Sequence, residues 1–287
     1  MSEPDQADSP KKVPSWAGEP FSSFIRDLNR AVNFYFLTKN GLSRIAKESQ
    51  IIDELKADIR RANVEIRKRL NEGRPQRDDP ELDRLWKNME EQEFAKFAEA
   101  DERIREASRL AKIEVDEGFP TLHRQVALSL WSSLEWLISN FLANWLANEP
   151  KAFRIEDVRK VKVSIADYEE FSGMDKYYYL LSEIERETKS GRGHGVDRFE
   201  STLQVFGLSG SVPKTIKRDL FEFGHVRNVL VHRNGVADAR FVQACPWLAL
   251  SAGQAVTVDQ ARLMRYIHAA QGYVTLLVDR VVSHFVD

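Results

Sequence analysis

One stretch of the 287-residue chain brings reactive side chains into register: Phe221 to Gly235, FEFGHVRNVLVHRNG. Within it an arginine, an asparagine and a histidine are spaced as Arg227-Asn228-x-x-x-His232. A guanidinium and an amide can stabilise charge that develops on a phosphate, and an imidazole can move a proton near neutral pH. Read as a helix at ~100° per residue, the stretch turns Leu220, Phe223, Val226, Val229 and Leu230 onto one broad apolar arc. His225, Asn228 and His232 fall on the opposite side, within about 60° of each other. Arg227 lies at the border, where its stem can be buried while its head swings toward the polar face. Asn234-Gly235 is a helix stop, so His232 is expected in the last turn. There the negative end of the macrodipole favours imidazolium, which is expected to raise the His232 pKa toward or above neutrality.

The elements that must hold this stretch are mostly helical in pattern. Leu122 to Asn148 reads as a strongly hydrophobic helix with Trp131, Leu134, Ile138, Phe141 and Trp145, and such a helix belongs at the centre of a bundle. It contains Glu135 between Leu134 and Trp136, and a buried carboxylate is costly unless paired. Phe199 to Phe206 reads as a short helix. Lys214, Lys217 and Arg218 on the approach to the motif, with Arg233 just after it, are candidate substrate-binding residues for a polyanion's backbone. Leu248–Leu250 and Ala255–Val258, around Ser251-Ala252-Gly253-Gln254, are expected to pair as a small β-hairpin. The final helix, from about Asp259, places Leu263, Tyr266, Ile267, Ala270, Val274, Leu277, Val278 and Val281 on one face and closes the bundle. Ser190-Gly191-Arg192-Gly193-His194-Gly195 reads as a flexible loop. Its Arg192 and His194, with Lys189, could reach phosphate, but it lacks the strand and Lys-Ser/Thr of a P-loop. The Tyr177-Tyr178-Tyr179 run reads as packing rather than a base-stacking platform.

The N-terminal part is different in kind. Residues 1–20 are polar and proline-bearing and are expected to be a disordered tail. Residues 21–117 read as an N-terminal helical, coiled-coil-like region, and 118–287 as the C-terminal domain, with Gly118-Phe119-Pro120 at the boundary. Phe21 to about Glu48 is a first, aromatic-rich helical segment that Asn40-Gly41 is expected to break. Ile52, Leu55, Ile59, Ala62 and Ile66 then form one apolar seam, and Leu85, Met89, Phe97, Ile104 and Leu110 another. The two helices read as an antiparallel hairpin arm, a solvated structural element or a partner surface.

Composition narrows the chemistry. With 42 Lys and Arg against 44 Asp and Glu the chain is nearly neutral, unlike a basic nucleic-acid coat protein, though a local basic groove is compatible with it. A single cysteine, Cys245, allows neither an internal disulfide nor a cysteine-based zinc site, and suits a reducing cytoplasm. No signal peptide or membrane span is expected. His123, His268 and His284 read as packing or surface residues, and no residue pattern suggests a metal or cofactor.

The Arg227-Asn228-x-x-x-His232 motif, the upstream VDRFESTLQVFGLSG, the trailing Asn234-Gly235 and the hydrophobic last helix together resemble the HEPN superfamily, in its Apea-like branch. The resemblance covers Leu122 to the C-terminus. It implies an all-α fold: a C-terminal HEPN-like helical bundle, here with a small β-hairpin insertion, preceded by the N-terminal helical hairpin arm. It implies metal-independent RNA cleavage with Arg227, Asn228 and His232 as catalytic residues, in a toxin or anti-phage defence effector. The family packs its first helix against the motif helix, which nominates Arg227 as the partner of Glu135; the alternatives are solvent or another arginine. One motif offers one proton carrier where the step needs two. A homodimer apposing two motif helices would supply the second, as the family does, and His225 is an alternative within one chain. An antitoxin or sensor partner is compatible with this reading. The competing reading is a non-catalytic helical module that binds RNA, a nucleotide or a protein.

Overall fold

The computed structural model describes residues 13–71 and 80–286. Among these residues every regular element is helical and no strand forms. In chain order they are α1 (Ser15–Asn71), α2 (Pro80–Asp116), α3 (Pro120–Asn148), a 3-10 turn (Pro150–Arg154), α4 (Glu156–Arg159), α5 (Ile165–Glu170), α6 (Met174–Thr188), α7 (Val196–Val205), α8 (Lys214–His232), α9 (Ala239–Ala244), a second 3-10 turn (Pro246–Leu248) and α10 (Gln260–Val286). The chain divides into two compact units, Tyr35–Leu122 and Met1–Phe34 with His123–Asp287.

In the Tyr35–Leu122 unit, α1 and α2 run antiparallel. Ser108 Oγ donates to the Ile45 carbonyl at 2.8 Å, Arg105 Nη2 donates to Asp53 Oδ1 at 2.6 Å, and Lys56 Nζ donates to Asp101 Oδ2 at 2.8 Å. As the α1 partner advances, the α2 partner recedes, which is the signature of a helical hairpin. Polar pairs therefore line much of the seam. The apolar positions expected there are largely exposed: Leu55, Ile59, Ala62 and Ile66 on α1, and Leu85, Met89 and Leu110 on α2. Ile52 and Ile104 are half-buried, and the Phe97 side chain lies outside the described residues. Asn40-Gly41 does not break α1, because one glycine costs a helix only about 1 kcal/mol relative to alanine. The punctuation expected at Gly73–Asp79 lies outside the described residues.

The other unit is built on α3. Leu134, Leu137, Phe141, Leu142 and Ala143 have no exposed surface, and Trp131, Ile138 and Trp145 have almost none. By length and composition α3 could cross a membrane, but most of its most apolar stretch is buried inside this bundle. Residues 15–20, expected in the tail, instead open α1. Trp16 stacks on Phe141 with ring centroids 6.4 Å apart and meets Phe285 of α10 edge-on at 5.4 Å. The rest of the expected tail, residues 1–12, is outside the described range. α10 buries Leu263, Tyr266, Ala270, Val274, Leu277 and Val281, as its periodicity predicts.

The β-hairpin expected at 248–258 is not formed. Pro246 starts a 3-10 turn and Ala249 takes a left-handed conformation (φ 51°), which ends any extended run before it begins. Residues 253–256 instead bond to the loop after α8: Val256 N–H donates to the Gly235 carbonyl at 2.7 Å, and a single bridge joins Val236 and Ala255.

Candidate active site

Helix α8 carries the motif, and its apolar stripe decides its orientation. Leu220, Phe223 and Val226 are fully buried, Val229 and Leu230 nearly so. Phe223 stacks on Tyr266 of α10 at 4.4 Å and meets Trp131 of α3 at 5.1 Å. Gly224 is required because a Cβ there would lie 2.9 Å from the Trp131 ring. The helix stops where Asn234-Gly235 predicts. Asn234 and Gly235 have φ of 50° and 77°, and the Arg233 and Gly235 N–H groups donate to the Val229 carbonyl. Arg124 of α3 closes the last turn by donating to the Leu230 carbonyl at 2.6 Å.

With the apolar stripe inward, His225, Asn228 and His232 line one wall of an open cleft of about 590 Å³. The opposite wall comes from the start of α9, with Asp238, Arg240 and Phe241, and Arg233 stands at the mouth, 3.6 Å from Asp238. Asn228 and His232 are exposed and His225 is half-buried. The volume falls within the roughly 300–1,000 Å³ typical of small-ligand sites.

The third imidazole is His194, from the loop before α7. Its ring centroid lies 4.7 Å from that of His225, and Phe221 closes on His225 at 4.6 Å. Gly195 explains the approach. Its φ is +58° and a Cβ would sit 2.4 Å from the Phe221 Cα, so only glycine lets the loop backbone rest on α8. His225 Nε2 is buried and has no hydrogen-bond partner among the described residues. Burial first, and then the neighbouring His194, push the His225 pKa below its ordinary value, against an opposing pull from Asp238.

Arg227 is turned to the side of the cleft. Its Nη2 is 3.5 Å from Glu135 Oε2 and its Nη1 donates to Asn228 Oδ1 at 3.1 Å. The expected Glu135 pairing is present but long, and Arg198 of α7 is the closer partner, donating to Glu135 Oε1 at 2.6 Å. Glu135 thus holds two arginines at the edge of the core, and one of them grips the amide that faces the cleft. The remaining basic candidates lie at the other end of α8. Lys214, Lys217 and Arg218 are about 20–27 Å along the axis from His232 at 1.5 Å per residue. Lys217 pairs with Asp197 at 2.8 Å, and Arg218 lies over the Trp247 ring at 4.9 Å.

Sequence reasoning did not single out Glu222, one turn before His225 and fully buried. Its Oε1 accepts from Arg265 Nη2 and the Tyr266 hydroxyl, each at 2.9 Å, and its Oε2 accepts from Trp247 Nε1 at 2.6 Å. A glutamate on the apolar side of an amphipathic helix, with Arg262 and Arg265 on the last helix, was the available signal. Among the described residues no group of three or more His, Cys, Asp and Glu side chains is placed to hold a metal ion. No protein-family model matches the chain, and neither does any curated protein or solved structure.

Proposed function

We propose that the protein is a metal-independent endoribonuclease of the HEPN type, acting in the cytoplasm as a toxin or anti-phage defence effector. The observation that carries this reading is the open cleft in which an exposed His232, Asn228 and His225 share one face of one helix. The RNA 2′-hydroxyl attacks the adjacent phosphate as its proton is removed, the leaving 5′-oxygen is protonated, and a 2′,3′-cyclic phosphate and a 5′-hydroxyl result. Asn228, steadied by Arg227, and the arginines at the mouth supply donors to the developing charge. The second proton carrier is either a second copy's His232, in a homodimer with apposed motif helices, or a group of the same chain. An antitoxin or sensor protein would control access to the cleft.

One observation favours the second reading, a non-catalytic module. The Arg227 head is held by Glu135 and Asn228 and does not line the cleft. Incubating an RNA oligonucleotide in EDTA with wild type, His232→Ala and Arg227→Ala decides between them. The expected result is cleavage to cyclic-phosphate ends, a loss on the order of 10²–10⁴-fold in His232→Ala, and no cutting where the scissile nucleotide is 2′-deoxy. Cleavage that survives His232→Ala, or that accepts the deoxy substrate, overturns the ribonuclease reading. Intact RNA with saturable binding supports the module.

A further inference from the structure

Resting on the ribonuclease reading, we propose that a single chain supplies both proton carriers: His225 takes the 2′-hydroxyl proton, His232 protonates the leaving oxygen, and His194 positions His225. Three observations meet in this assignment. The first is spacing. His225, Asn228 and His232 stand at i, i+3 and i+7, so the two imidazoles are anchored about 10 Å apart along the helix with the amide between them. Each carrier must come within about 3 Å of the oxygen it serves. A phosphodiester seated on Asn228 would therefore have one imidazole on either flank.

The second observation is the bare Nε2 of His225. His225 lines the cleft while its Nε2 is buried and unpartnered among the described residues, which leaves Nδ1 as the nitrogen to serve a ligand.

The third is His194. The two imidazoles pack with centroids 4.7 Å apart, and His194 adds to burial in pushing the His225 pKa below its ordinary value. His225 is half-buried and His194 is exposed to solvent. The charged and titratable groups that share the cleft with His225 are His194, His232, Arg233, Asp238 and Arg240. In this assignment Nδ1 of His225 receives the hydroxyl proton, while the His194 ring packs against the His225 ring and holds its orientation. The O2′–P bond forms as that proton leaves. The P–O5′ bond breaks with its electron pair going to oxygen, which takes a proton from His232. One proton has then moved onto His225 and one has left His232, and exchange with solvent in the open cleft resets both.

The test uses the full chain and an RNA oligonucleotide. His225→Gln and His225→Asn are expected to lower kcat on the order of 10²–10⁴-fold with the fold intact by circular dichroism. Mixing His225→Gln with His232→Ala is expected to restore nothing, because both lesions fall in one cleft. His194→Asn should leave KM unchanged and move the acid limb of the pH–rate profile to higher pH, because losing the neighbouring imidazole lets His225 hold a proton more readily. Histidine-ring NMR should show the same upward move of the His225 midpoint. Cleavage retained in both His225 variants but lost in His232→Ala overturns this assignment alone. So does recovery in the mixture, which would put the second carrier on another copy, or a His225 midpoint indifferent to His194. RNA left intact by the wild-type chain fails the ribonuclease reading itself, and this assignment with it.

Discussion

Glu222 and His225 are one turn apart on α8, and their surroundings follow opposite rules. Glu222 has no exposed surface, and both its oxygens accept hydrogen bonds from three side chains drawn from α10 and the turn before it. His225 borders an open cleft with one nitrogen unpaired among the described residues, beside another imidazole. A buried charge persists only when its partners compensate desolvation, so saturation marks Glu222 as a part of the scaffold. Incomplete satisfaction at the rim of a cleft is what a site that must still bind something looks like. The contrast within one helix separates the residues that hold α8 in place from those it presents.

The largest effect that can break this contrast is expected at Glu222. Glu222→Ala would leave the Tyr266 hydroxyl and Trp247 Nε1 without their acceptor and Arg265 with only Asp219, 2.9 Å from it. Removing one partner of a buried charged network typically costs about 3–5 kcal/mol. Urea unfolding should show that loss, while Asn228→Ala on the open face should cost under about 1 kcal/mol. Equal losses at the two positions would erase the distinction between scaffold and site.

How much of this was legible in the sequence follows from what helical periodicity encodes. The apolar stripe of α8, its stop at Asn234-Gly235 and the shared face of His225, Asn228 and His232 depend only on local geometry, and the structure has all three. The burial of α3 and α10 was legible for the same reason. What periodicity does not encode is which distant groups meet. Arg198 rather than Arg227 is the nearer partner of Glu135, Arg124 caps α8 from 106 residues away, and His194 arrives through a glycine loop whose pattern suggested flexibility. The apolar seams of α1 and α2 failed differently. Their spacing was right for a helix, but the pairing that the structure shows uses Ser108, Lys56, Asp101 and Arg105 and leaves Leu55 and Leu85 exposed.

A middle-sized effect sharpens the contrast from the loop side. Gly195→Ala meets two penalties, a left-handed φ of +58° and a Cβ 2.4 Å from the Phe221 Cα. Gly207 is also left-handed, at φ +73°, but has open space where a Cβ would go. Gly207→Ala should therefore cost only the conformational part, about 1 kcal/mol. Gly195→Ala should cost more, about 2–3 kcal/mol, and should change the His225 ring resonances as His194 is pushed away. Thermal unfolding of the two variants gives the difference directly. Equal losses would mean that the loop does not depend on resting against α8.

The smallest expected effect is chemical silence beside the saturated cluster. Cys245 is buried, and burial first, then the charge of Glu222, push its thiol up to about 12. Only the thiolate attacks an alkylating reagent, so at pH 8 the native chain should hold almost none of the reactive form. Iodoacetamide is expected to label Cys245 no faster than the protein opens, with rapid labelling once urea unfolds it. Because the group sits on the scaffold side, His194→Asn and His232→Ala should leave that protection unchanged. Glu222→Ala should weaken it through instability, even though losing the neighbouring carboxylate also removes one of the forces that raise the thiol's pKa. Labelling that is fast in the wild-type chain would show that the region around Glu222 opens as readily as the cleft, and the scaffold half of the comparison would fall.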